Sequence, residues 1–176
     1  MNTMHDQRAN HAIPCGFTYD LALRRRADDA LVHSERLHNR VPGEGLDLIA
    51  NACFKGAAMP ANLFIGLWSG SYVPNGTETA ATLPTLVTEV TQYDGAARKA
   101  WVPGNVSAGG VSNELSLARF SFTGMQTVNG VFVSSSSGKG SDTGALLSIV
   151  RLPVARAVDP AFYLEILAGF QFISVS

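Results

Sequence analysis

The chain has 176 residues, 13 basic and 14 acidic, and a formal net charge of −1. That length predicts one domain with enough residues for its own core, and the balanced charge excludes a protein whose main work is to coat nucleic acid, which needs a basic surplus. Charged residues make up only 15% of the chain and hydrophobic residues 46%, whereas typical soluble domains are about 25% charged. A disordered chain shows the opposite balance, and a surface this poor in charge points to coverage by partners.

Residues 1–45 hold six basic and six acidic side chains and all four histidines, His5, His11, His33 and His38. The chain therefore divides into a polar N-terminal arm, 1–45, and a charge-poor body rich in Gly, Ser and Thr, 46–176. Cys15 and Cys53 form no CxxC pair and no disulfide framework, so both read as free thiols in a reducing cytosol. Met1 to Arg8 contain no apolar signal region, and no run reaches the ~18 apolar residues of a membrane span. Neither a secretory route nor a membrane partner is expected.

In chain order, residues 1–17, with Pro14 and Gly16, read as an extended arm. Residues 20–39 read as a helix. Asp20 serves as N-cap, and Leu23, Ala27, Ala30, Leu31, Ser34, Leu37 and His38 recur at spacings of three and four. Pro42-Gly43 stops it. Its apolar stripe is thin, so it needs support from the body or a neighbouring subunit. A second helix is predicted over about 44–57, where Leu46, Ile49, Ala50, Cys53 and Phe54 form an amphipathic face; Cys53 then reads as a small core hydrophobe.

From residue 62 the period changes to two. Strands are predicted over 63–68, 86–91, 98–102, 114–122, 128–134, 146–152, 162–167 and 170–175, separated by turn signals such as Pro74-Asn75-Gly76 and Pro103-Gly104. The pattern is mainly β, an antiparallel β-sandwich or jelly roll preceded by an N-terminal arm with one or two short helices. The loops 74–82, 104–112 and 134–144 are the candidates for an exposed tip.

Candidate chemistry is sparse. Ser134 to Ser141 surrounds a Gly-Lys pair, but Val133 and Gly140 break the phosphate-loop template, and the stretch reads as a mobile loop. The body has no histidine to activate a serine. His33 and His38, five apart, do not share a helix face well enough to hold a metal. Asp47, Glu78, Glu89, Asp94, Glu114, Asp142, Asp159 and Glu165 are scattered singly. No catalytic residue, metal or cofactor is expected. Arg24, Arg25 and Arg26 form the one basic cluster; balanced by Asp28 and Asp29, it reads first as a solvated helix face, with phosphate or an acidic partner surface as the alternative, and as salt links to a partner if the chain joins an assembly. Leu31 lies on the same segment. Trp68 and Trp101 sit in apolar strands and read as core or interface residues, with a sugar platform as the alternative.

Asn62-Leu63-Phe64-Ile65-Gly66-Leu67-Trp68-Ser69-Gly70 resembles the short helix and first strand that open many small virion proteins of tailed bacteriophages. The resemblance continues in order through Thr85 to Tyr93, Arg98 to Gly104, Phe120 to Thr123, Gly130 to Ser135 and Gly144 to Ser148, and covers about 46–176. The arm is longer than in the shorter members of that group. The resemblance implies a non-enzymatic structural protein of the virion, made in the bacterial host cytoplasm. Its expected partners are the major capsid protein or other virion proteins and copies of itself. A capsid decoration or cement subunit is the first expectation, a tail or neck accessory the second, and a carbohydrate-binding sandwich the third. The arm, taken as separable, is expected to make the inter-subunit contacts, so that removing 1–41 would leave a soluble body that no longer binds particles.

Overall fold

Phe17, Tyr19, Leu21 and Leu23 alternate with Thr18, Asp20, Ala22 and Arg24, the period of a strand with one buried face. In the computed structural model, which describes residues 15–39 and 41–172, this stretch is strand β1 (Cys15–Arg25). The chain turns and returns as β2 (Leu31–His38). The helix expected over 20–39 is therefore replaced by a hairpin. Asp29 takes φ 60° at the turn, a left-handed conformation that aspartate tolerates. Asp28 Oδ1 accepts the N–H of Ala30 at 3.2 Å. Asp20, expected as a cap, instead accepts two hydrogen bonds from Arg36, at 2.5 and 2.8 Å. Residues 1–14 of the expected arm lie outside the described residues.

Next come α1 (Gly43–Lys55), β3 (Leu63–Ser69), the single turn α2 (Leu83–Leu86), β4 (Thr88–Val90) and β5 (Lys99–Trp101). They are followed by β6 (Gly110–Ser112), β7 (Ala118–Ser121), β8 (Gln126–Ser134), β9 (Leu146–Val158) and β10 (Phe162–Phe172). Strand β6 falls inside a stretch expected to be loop. The alternation over 114–122 becomes a strand only at β7, and the two expected C-terminal strands are one, β10. The strands form two antiparallel five-stranded sheets. The first runs β2-β1-β10-β6, with β7 also on β10; the second runs β4-β3-β8-β9, with β5 also on β3.

Strand β1 pairs with β10 along its whole length, from Cys15 opposite Phe172 to Arg25 opposite Phe162. Residues 15–39 are thus built into the sandwich and are not a detachable arm. The main core lies between the sheets, where Phe17, Tyr19 and Leu21 join Ile65, Leu67 and Val131 in one buried cluster. The Tyr19 and Ser148 hydroxyls hydrogen-bond across that core, and Asn39 Nδ2 donates to the same Ser148 oxygen.

Asn113 closes the gap between β6 and β7 on the β10 edge. Wholly buried, it donates from Nδ2 to the carbonyl of Ile166 at 3.2 Å and accepts the N–H of Ala168 at 2.6 Å. Its amide stands where a strand's peptide group would, so the buried backbone stays paired. The backbone carbonyl of Asn113 accepts the N–H of Ser116 at 2.9 Å, making the turn that takes 114–117 out of the ladder.

The second sheet is buried on both faces. Gly66 is opposite Phe132 and Trp68 is opposite Gly130, and each ring lies over the facing glycine. A Cβ on Gly66 would fall 2.1 Å from Phe132 Cζ, and one on Gly130 would fall 2.2 Å from Trp68 Cε2 and 2.2 Å from the Val150 carbonyl oxygen. Residues 70–87 fold over these rings, and Ala80, Leu83 and Val87 complete a second buried cluster.

Two outcomes follow. Gly130→Ala is expected to cost about 3 kcal/mol by overpacking, read from denaturant unfolding. Deleting 1–41 removes β1 and β2 with their buried Phe17, Tyr19, Leu21 and Leu23; circular dichroism and solubility should report an unfolded chain, not the intact body that a separable arm would leave.

Candidate interaction surface

With the second sheet covered by 70–87, the first sheet presents an outer face that no segment among the described residues crosses. Alternation along β1 and β10 aims Asp20, Ala22 and Arg24, with Glu165 and Leu167, away from the core. The charges on it are paired. Arg24 Nε donates to Glu165 Oε2 at 3.1 Å and Arg119 Nε to Glu165 Oε1 at 3.2 Å. The Arg119 guanidinium lies 3.9 Å from the centre of the Tyr163 ring. Exposed pairs of this kind add only ~0–1 kcal/mol each, but they hold long side chains flat and leave a shallow recess lined by Asp20, Ala22, Arg36, Leu117 and Leu167.

The Arg24–Arg26 cluster sits at the tip of the β1–β2 hairpin. Arg25 pairs with Asp28 at 3.0 Å, as its balance with Asp28 and Asp29 implied. Arg26 donates its backbone N–H to the Ala161 carbonyl at 2.8 Å and its guanidinium to the Pro160 carbonyl at 3.4 Å, so the tip is tied to the β9–β10 turn. Leu31 is 53% exposed next to Val32 and is free for contact. Trp68 and Trp101 take the core place among the readings above, not a contact one. Both are buried, with their indole N–H groups donated to the carbonyls of Val150 (3.2 Å) and Ala168 (2.9 Å). Neither presents an exposed ring to a partner or a sugar.

Helix α1 reverses another expectation. Its N-terminal end is fixed to the body: Glu44 Oε2 accepts the N–H groups of Ala80 at 2.8 Å and Leu146 at 2.6 Å, and Gly45 is buried. Leu48 packs against the main core. Of the apolar stripe expected to face inward, Ile49 is half-buried but the rest is turned out, with Phe54 86% and Leu46 45% exposed. Cys53 is exposed as well, not the small core hydrophobe that its helix spacing predicts. Cys15 is half-buried, and burial raises its thiol pKa.

The Ser/Gly loop 134–144 is pinned. Arg98, side chain 1% exposed, binds both oxygens of Glu89 at 2.9 and 2.8 Å and the carbonyls of Ser136 and Ser141 at 3.0 and 3.1 Å. Lys139, the lysine of the failed phosphate template, donates to the carbonyls of Thr91, Tyr93 and Gly95 at 2.9, 3.0 and 2.7 Å. Its ammonium lies 3.6 Å from the centre of the Tyr93 ring. Burial and the neighbouring Lys99 hold its pKa below the usual lysine value.

Glu78 organises loop 74–82. Only 1% exposed, it accepts the Tyr72 hydroxyl at 2.8 Å and the N–H groups of Asn75 at 2.5 Å and Gly76 at 2.9 Å. Burial pushes its carboxyl pKa up, but the Asn75 N–H, the Tyr72 hydroxyl and the remaining backbone donors outweigh burial and hold it below the ordinary value. Burial and the Glu78 carboxylate together push Tyr72 up to about 12. Sequence reasoning left Glu78, Lys139 and Asn113 without roles; Asn75-Gly76 two residues before a glutamate was the one local signal.

Among the described residues no three His, Cys, Asp or Glu side chains gather to hold a metal ion, and no helix is long and apolar enough to cross a membrane. Compared with family models and with curated proteins, the chain matches none.

Because the folded pKa of Glu78 is depressed, its contribution to stability is present above the unfolded value near 4.5 and is lost as pH falls through the folded one. Glu78→Gln is expected to cost about 2 kcal/mol at neutral pH, since an amide cannot accept three donors in its place. Unfolding curves at neutral pH and below the lowered pKa should show the gap between variant and wild type closing in acid.

Proposed function

We propose that the protein is a non-enzymatic structural component of a tailed-bacteriophage virion, bound as a decoration or cement subunit to the major capsid protein. The observation that carries this reading is the ordered resemblance of 46–176 to small virion proteins. Its pieces fall on β3, α2–β4, β5, β7, β8 and the start of β9, the strands and connections of one sandwich.

The surface supports the same reading. An open sheet face with its ions already paired can be covered without stripping water from lone charges, which is the expensive part of burying a polar surface. Repeated weak contacts on a lattice then add up through multivalency. The sandwich hairpin tip, with Arg25, Arg26 and Leu31, takes the contact role first given to a free arm. The carbohydrate-binding reading loses its support with Trp68 and Trp101 in the core.

Imaging of labelled virions, with copy number from stained gels, tests the proposal. Regular density over the head at high copy number is the expected result, together with particles that resist heat or osmotic shock less well when the protein is missing. Density confined to tail or neck at low copy number would replace cement with an accessory role. Absence from the particle would overturn the virion reading.

A further inference from the structure

The chain contains Asn-Gly twice, at Asn75-Gly76 and Asn129-Gly130. In this dipeptide the backbone nitrogen is least hindered from attacking the side-chain amide before it, because glycine has no side chain in the way. The two pairs sit in different surroundings. Asn129 lies within β8, its Oδ1 accepts the N–H of Gly70 at 3.2 Å, and Gly130 is packed beneath Trp68. Asn75 is exposed in the loop 74–82. Its Oδ1 accepts the Thr77 N–H at 3.0 Å and the Thr77 hydroxyl at 2.7 Å. That contact is an Asx turn, which folds the side chain over its own following peptide group. The N–H of that peptide group belongs to Gly76 and donates to Glu78 Oε2 at 2.9 Å.

We propose that Asn75-Gly76 is a self-modifying site, at which the folded loop promotes conversion of Asn75 to aspartate and isoaspartate through a cyclic imide. The Gly76 nitrogen attacks Cγ of Asn75 and closes a five-membered ring, while its proton passes to Glu78, a general base already in contact with it. Negative charge collects on Asn75 Oδ1 as the tetrahedral centre forms, and the two Thr77 donors stabilise it there. When the centre collapses, the side-chain nitrogen leaves as ammonia with the proton held by Glu78, and the carboxylate is regenerated. Water then opens the imide at either carbonyl. The same donors that lower the Glu78 pKa keep it ionised, and so able to accept a proton, at neutral pH.

The isoaspartate product carries the backbone through the former side chain, one methylene longer. The N–H groups of residues 75 and 76 then no longer fit the Glu78 carboxylate, and the cover over Trp68 and Phe132 loosens with the age of the molecule. The inference rests on this loop alone and does not depend on which particle, if any, the protein joins.

Peptide mapping of the full chain by mass spectrometry, during incubation at neutral pH, tests it. In the folded protein Asn75 should deamidate at least about fivefold faster than in the same chain held in urea, the worth of one hydrogen bond gained in the transition state. Asn129 should stay intact while the chain is folded and react at a rate similar to Asn75 in urea. Hydroxide drives the unassisted reaction, so the rate in urea should climb with pH, whereas the Glu78-assisted rate in the folded chain should stay flat through the neutral range. Thr77→Val keeps the N–H donor and the side-chain shape but loses the hydroxyl, and should slow Asn75 about fivefold. Glu78→Gln should abolish the advantage of the folded state. Folded Asn75 reacting no faster than in urea would mean that the loop shields the amide and would overturn the proposal. So would a folded rate that climbs with pH as steeply as in urea, or one indifferent to Thr77→Val.

Discussion

Two aromatic rings resting on two glycines determine how the rest of the molecule is arranged. Phe132 occupies the space over Gly66, and Trp68 the space over Gly130. The rings make the outer face of the second sheet as apolar as its inner face. A sheet that is apolar on both sides must be covered on both. The inner face meets the first sheet, and the outer face draws residues 70–87 across it. That cover is an irregular segment, so its backbone needs partners other than strands. Glu78 and Glu44 supply them, one within the loop and the other from α1. The first sheet has no ring pair of this kind and stays open, which gives the molecule one finished side and one side available for contact.

Much of the sandwich was legible from period alone. Strands β3 and β9 begin where the sequence predicts them and β8 two residues earlier, and the turn at Pro74-Asn75-Gly76 lies where those residues place it. The N-terminal hairpin was not legible. Leu23, Leu31 and Leu37 fit a helical spacing, while Phe17, Tyr19, Leu21 and Leu23 fit a strand. What decides between them is the pairing of β1 with β10, a contact between segments more than a hundred residues apart. Local propensity carries no information about such a partner. Asn113 was invisible for a related reason: a buried amide standing in for a peptide group is defined by the strand it completes.

The contact surface was legible in part. The pairing of Arg25 with Asp28 was readable from proximity, although it sits in a turn and not on a helix. Helix α1 was readable as a helix, but its periodicity gives the direction of the apolar face only relative to its own axis. Which side the body takes is set by Glu44, Gly45 and Leu48, and they put Phe54 outward. Trp68 and Trp101 show the converse. Their apolar surroundings left core and interface both open, and burial with their indole N–H groups on backbone carbonyls places them in the core.

The loop 134–144 has the composition of a flexible linker, yet Arg98 and Lys139 tie its backbone and that of 91–95 together. The entropy of ordering those residues is therefore lost once, when the chain folds, and not again at each encounter with a partner. Should the loop meet another surface, it does so preorganised, and a small set of contacts is enough to hold it. A segment rich in serine and glycine thus behaves as a rigid template, with one lysine acting as its fastener.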